Sequence, residues 1–174
     1  MSRLRFLPLI VFGLIVVAVA WRLATPRDDR VASKLEGQKL PAFALPPALP
    51  GKPGLTSADL ASGAPRLVNI FASWCVPCAA EAPVLLDLQR RGVAIDAIAI
   101  RDRPEDVAAF LAQHGDPFTR IGGDADSRVQ IALGSSGVPE SFVIDGRGVI
   151  RAQHIGPIMP QDVPNILAAL EDAK

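Results

Sequence analysis

The strongest constraint on this chain is the stretch Phe71-Ala72-Ser73-Trp74-Cys75-Val76-Pro77-Cys78, which holds both of its cysteines. An apolar run, Leu67-Val68-Asn69-Ile70-Phe71, leads in and reads as a buried strand. A helical pattern from Ala79 to Arg91 leads out. The start of a helix presents backbone N–H groups without intrahelical partners and a partial positive charge. A cysteine placed there is stabilised as thiolate, so its pKa falls and its reactivity rises. The second cysteine follows one turn later, close enough to close a disulfide. So short a loop adds little stability through chain entropy. Two cysteines also cannot build the scaffold of a small disulfide-rich protein. The pattern therefore points to thiol–disulfide exchange. Pro77 falls in the first helical turn, where a missing N–H costs little.

The chain has 174 residues, which suits one domain with an N-terminal appendage. Its 18 basic and 18 acidic residues balance, and no basic run marks a nucleic-acid surface, so no nucleic acid is expected as partner. Met1-Ser2-Arg3-Leu4-Arg5 is short and basic, and Phe6 to Leu23 is apolar apart from Arg22. About 17 apolar residues approach the minimum for a spanning helix and exceed the ~7–15 of a signal-peptide core. Residues 1–24 are expected to be a signal anchor, with Arg3 and Arg5 on the cytoplasmic side and Trp21 at the far interface. Ala18-Val19-Ala20 has the small-residue pattern of a cleavage site and leaves a cleaved signal open. Residues 25–39 read as a polar tether and 40–174 as the folded domain.

Within that domain, Ala42 to Leu45 suits a short edge strand beside prolines, and Ser57 suits the cap of a single helical turn. Val93 to Ile100 reads as a central strand, so strand, helix and strand imply a parallel crossover. A helix is expected from Arg103 to His114, a short extended piece over 118–121, and a second helix from Asp124 to Leu133. Phe142 to Ile144 and Val149 to Ile155 flank a tight Asp145-Gly146-Arg147-Gly148 turn. The closing helix, Asp162 to Ala173, is expected to be interrupted by Pro164, and Pro83 to kink the helix after the cysteines. No metal site is expected. Besides the cysteines the chain offers only His114 and His154, far apart and without ligand spacing. A peroxidase-type cysteine is a poor fit, because Ala72 stands where such sites carry Thr or Ser.

The Trp74-Cys75-x-Pro77-Cys78 motif in its strand–helix setting resembles the thioredoxin fold. That resemblance implies an α/β domain with a central mixed sheet flanked by helices. Here it would carry an N-terminal extension, an inserted helical segment and a preceding transmembrane helix. It implies that Cys75 is the exposed nucleophile and Cys78 the buried resolving thiol. It also implies that Pro139 is a cis-proline facing the disulfide, with the Val138 backbone turned toward a bound peptide. Three features together resemble the CcmG/DsbE family of cytochrome c biogenesis thioredoxins. They are the N-terminal anchor, Asn69-Ile-Phe-Ala-Ser-Trp74-Cys-Val-Pro-Cys78, and Gly134-x-x-Gly137-Val-Pro139-Glu140-Ser-Phe142-Val-Ile-Asp145-Gly146.

The family resemblance implies a monomer on the inner membrane, its domain in the periplasm, reducing disulfides in the Cys-x-x-Cys-His sites of apocytochrome c. Electrons would come from a membrane thiol reductase of the DsbD/CcdA kind. No cofactor is implied beyond the Cys75–Cys78 disulfide. Trp74 and Pro77 would support the site. Asn69 stands where ordinary thioredoxin has a buried Asp. Glu81 and Glu140 match acidic residues of the family and are expected to raise the Cys75 pKa by like-charge repulsion. The bland reading of Glu81 is a first-turn carboxylate favouring the helix N-terminus. The chain departs from some members at Ala79, in lacking His after Glu81, and at Ser135-Ser136. A general extracytoplasmic reductant of the ResA/TlpA type is the alternative. A copper-delivery module is disfavoured, because such relatives space their cysteines by three residues.

Overall fold

The computed structural model describes residues 7–24 and 35–174. The basic start with Arg3 and Arg5, and most of the expected tether, lie outside the described residues. In chain order the elements are α1 (Leu7–Ala24), β1 (Ala44–Leu45), β2 (Leu55–Thr56), α2 (Ser57–Leu60), β3 (Arg66–Phe71), α3 (Val76–Arg90), β4 (Ile95–Ile100), α4 (Pro104–His114), β5 (Ile121–Asp124), α5 (Arg128–Ala132), β6 (Glu140–Ile144), β7 (Ile150–Ile155) and α6 (Val163–Asp172). This is the expected thioredoxin-like α/β arrangement. A five-stranded mixed sheet runs in the order β5-β4-β3-β6-β7. β3, β4 and β5 pair in parallel, β6 runs antiparallel to β3, and β7 runs antiparallel to β6.

Over its described residues the expected spanning segment is helical. α1 has 18 residues, a rise of about 27 Å at 1.5 Å per residue, against a hydrocarbon core of about 30 Å. Among the described residues no helix is long and apolar enough to cross a membrane. Phe12, Leu14, Val17 and Trp21 on α1 are exposed.

The central strands carry continuous apolar runs because both faces are covered. Leu67, Ile70, Ile95, Ile98, Phe142 and Ile144 are fully enclosed. At the centre Phe71 stacks on Phe118, ring centroids 5.2 Å apart, and meets Phe110 at 5.5 Å. α3 turns Cys78, Glu81, Ala82, Leu85 and Leu88 inward, at the spacing of one helical face.

Several local expectations change. The extended piece foreseen over 118–121 is a true sheet strand shifted toward the C-terminus, β5. Asp124 ends that strand and does not open a helix; its carboxylate accepts the N–H groups of Arg128 and Gln130, so α5 starts later. The cap of α2 is Thr56, not Ser57. Thr56 and Asp59 form a reciprocal capping box, while Ser57 accepts the Phe43 N–H. Pro164 sits in the first turn of α6 and interrupts nothing. α3 runs on through Pro83 to Arg90, its inner face held on the sheet.

Candidate active site: a disulfide at a helix start

β3 ends at Phe71, and its chain turns into α3 through Ala72, Ser73 and Trp74. The Cys75 N–H donates to the Ala72 carbonyl at 3.2 Å to close that turn. Cys75 is the N-cap of α3, and its Sγ accepts the Cys78 N–H at 3.2 Å. A backbone donor and the positive end of the helix thus converge on this sulfur, the environment that stabilises a thiolate. Cys75 and Cys78 form a disulfide with Cα atoms 5.3 Å apart. The expected exposed nucleophile is enclosed in this form: Cys75 is 5% exposed and Cys78 2%. Of the two, Cys75 keeps the greater access. Trp74 and Val76 beside it are 57% and 80% exposed, an apolar rim on an open surface.

The Val138–Pro139 bond is cis. Glu140 pairs with Ile70 across the antiparallel β3–β6 ladder, which carries Pro139 to the end of β3 from which the cysteine turn departs. The Pro139 carbonyl accepts the Gly156 N–H at 3.0 Å.

Beneath the disulfide lies a compact polar cluster. Asn69 on β3 donates through Nδ2 to Glu81 Oε1 at 2.9 Å and to Ser141 Oγ at 3.0 Å. The other Glu81 oxygen accepts the Ile158 N–H at 2.9 Å. Asn69 and Glu81 are fully buried. They share a small cavity with Cys78, walled by Phe71, Phe110 and Phe118. Burial raises the Glu81 carboxyl from 4.5 to about 7, against the opposing bonds from Ile158 and Asn69.

This changes the reading of two residues. Glu81 is not a solvated first-turn carboxylate; it sits three residues after Cys78 and faces the core on the same side. The ionisable group that Asn69 lacks is supplied from the facing helix. It adjoins Cys78, where like-charge action on Cys75 had been expected. Glu140, also buried, has its carboxylate taken up by the Ser136 N–H at 2.8 Å and by the Gln153 amide. It ties the 134–137 loop to β7.

Sequence reasoning missed Ser141 as a partner of Asn69, although their pairing follows once β6 is placed beside β3. It also missed the Ile158 N–H, which no side-chain pattern marks. His114 lies in the last turn of α4, its ring 4.8 Å from that of Phe110, and His154 Nε2 lies 3.3 Å from the Pro157 carbonyl. Among the described residues no cluster of His, Cys, Asp and Glu is arranged to hold a metal ion.

Residues 35–170 match the Redoxin family. The chain is 38% identical over 155 residues to the thiol:disulfide interchange protein HelX of Rhodobacter capsulatus, covering 89% of this chain and 88% of the relative. It is 34% identical over 164 residues to the thiol:disulfide interchange protein DsbE of Escherichia coli, covering 91% and 88%. Among solved structures it superposes on a thiol:disulfide interchange protein DsbE from Chlorobium tepidum with a TM-score of 0.64 and 30% identity, over 78% of this chain and 97% of that one.

Proposed function

Since the chain belongs to the Redoxin family and, within it, to the DsbE/HelX group of thiol:disulfide interchange proteins, we propose that it is the membrane-tethered reductant of apocytochrome c in cytochrome c maturation. The observation that carries the chemistry is the Cys75–Cys78 disulfide at the start of α3 with Glu81 buried behind Cys78.

In the reduced protein the Cys75 thiolate attacks one sulfur of a substrate disulfide. A mixed disulfide forms and one substrate thiolate leaves. Cys78 then gives up its proton and attacks Cys75 Sγ, which re-forms the Cys75–Cys78 bond and frees the second substrate thiolate. Two electrons pass from the dithiol to the substrate. The proton of Cys78 goes to Glu81, whose carboxyl titrates near neutrality and can both take and return it. Asn69 holds that carboxyl in place. Trp74 and Val76 offer apolar contact to the substrate chain, and the backbone at Val138 and Pro139 lies at the same sheet end for an extended peptide to pair with. A membrane dithiol of the DsbD/CcdA kind reloads the site.

The sequence run from Phe6 to Leu23, apolar apart from Arg22, supports a single-pass tether in the inner membrane, with local thinning of the bilayer to meet a helix shorter than its core. The domain then faces the periplasm, where substrate disulfides persist.

A strain lacking this protein is expected to lose holocytochrome c and to regain it when a small thiol is added. Normal holocytochrome in the deletion would sink the proposal. C78S, which cannot resolve the mixed disulfide, is expected to trap apocytochrome c on Cys75. Capture of a broad set of other periplasmic proteins would favour the general reductant. A redox potential near that of thioredoxin (~−270 mV) fits a reductant, whereas one near DsbA (~−120 mV) reverses the direction of electron flow.

A further inference from the structure

The turn that delivers Cys75 is held from a neighbouring loop. Asp102, just beyond the end of β4, accepts the Ser73 N–H at 2.6 Å through Oδ2 and the Ser73 hydroxyl at 2.5 Å through Oδ1. Both carboxylate oxygens are therefore spent on the residue two before the nucleophile.

Asp102 is itself held. Arg101 before it has φ 49°, in the left-handed region that residues with a side chain avoid. Among the described residues the only other non-glycine there is Ser127, at φ 56°. These two are joined: Arg101 Nε donates to Ser127 Oγ at 2.9 Å, and the Arg101 N–H to the Asp124 carbonyl at 3.3 Å. A chain of contacts thus crosses the ends of three adjacent parallel strands, from the β5 end through Arg101 and Asp102 to Ser73. Backbone held in a sparsely populated region persists where its surroundings fix it and recurs beside functional sites.

We infer that Asp102 is the positioning residue of the nucleophile: it fixes Ser73, and through Ser73 the line along which Cys75 meets a substrate sulfur. The inference deepens the reductase reading and rests on it. Disulfide exchange needs the attacking sulfur aligned with the bond that breaks, so a loosened turn lowers the rate.

The test uses the full-length chain, reduced and in detergent. The substrate is a synthetic peptide carrying an oxidised Cys-x-x-Cys-His segment. The parent chain is the control: if it does not reduce the peptide, the reductase reading itself fails. With an active parent, D102A is expected to slow mixed-disulfide formation about tenfold. D102N keeps an acceptor for the Ser73 N–H and a polar partner for its hydroxyl, and is expected to stay within threefold of the parent. A D102A rate within twofold of the parent overturns the inference. So does D102N as slow as D102A, because the effect would then follow the charge and not the two bonds. Should D102A fail to fold by circular dichroism, S73A, which loses only the hydroxyl bond, is expected to slow the reaction about threefold. An unchanged S73A rate would then overturn it.

Discussion

Asn69 and Glu81 are a buried, hydrogen-bonded pair beneath the disulfide. The strand position beneath the disulfide carries an amide, and the carboxyl comes from the helix face opposite. Burial holds that carboxyl near 7, so at neutral pH it exchanges protons at little free-energy cost. E81Q keeps the acceptor for the Ile158 N–H and removes the proton site. Resolution of the mixed disulfide at pH 7 is expected to slow roughly a hundredfold, the lower end of what a positioned base contributes. The step near pH 7 in its pH profile should vanish as well. Stopped-flow release of a labelled peptide thiol reads both; an unaltered profile would remove Glu81 from the proton path. The position of Glu81 three after Cys78 was legible in the sequence. Its burial against Asn69 and the Ile158 N–H was not, because helix phase relative to a sheet is a packing outcome.

At the scale of elements, the β6–β7 hairpin starts beside the end of β3, just after cis-Pro139, and its turn is built on close approach. A Cβ on Gly146 would fall 2.4 Å from the backbone carbon of Gly63, and Gly148 has φ +78°. Asp145 organises the turn by accepting the N–H groups of Arg147 and Val149 and both the Nε and Nη2 of Arg151. G146A must push backbone against backbone and is expected to cost on the order of 2–3 kcal/mol in urea unfolding, with the exchange rate per folded molecule little changed. A neutral G146A would mean that the 63–64 loop yields freely. The Asp-Gly-Arg-Gly pattern announced the turn. Its packing against a loop some eighty residues earlier in the chain had no local signal.

Across the whole molecule, buried carboxyls of opposite tendency set the pH dependence of stability. Burial raises Asp145, but the bonds from Val149, Arg151 and Arg147 outweigh it and pull its pKa to about 2. Its contribution is present above the ordinary carboxylate range and is lost as pH falls toward 2. Glu81 acts in the other sense. Its folded pKa is raised, so the folded state holds the proton more tightly. That contribution is complete at and below pH 4.5 and is lost as pH rises through about 7. The loss is on the order of 3 kcal/mol. Asp96, raised by burial despite its 2.5 Å bond from Arg66, adds in the same direction as Glu81. The disulfide form is therefore expected to be most stable near pH 4–5, read as the thermal midpoint between pH 2 and 8. E81Q should flatten the decline above pH 5, and a parent whose midpoint rises from pH 5 to 8 would contradict this.

By itself the sequence determined the redox chemistry and the local elements around it. Paired cysteines behind an apolar run, a proline in the first helical turn and a turn-bearing hairpin are local patterns, and each has one dominant local outcome. Tertiary structure decided which groups meet. Glu81 reaches Asn69 because α3 turns that face onto β3. Ser141 reaches Asn69 because β6 pairs antiparallel with β3 in one register. Asp102 reaches Ser73 because β3 and β4 are parallel neighbours ending at the same edge. These contacts join residues far apart in the chain, and their energies depend on burial that exists only after the sheet has formed.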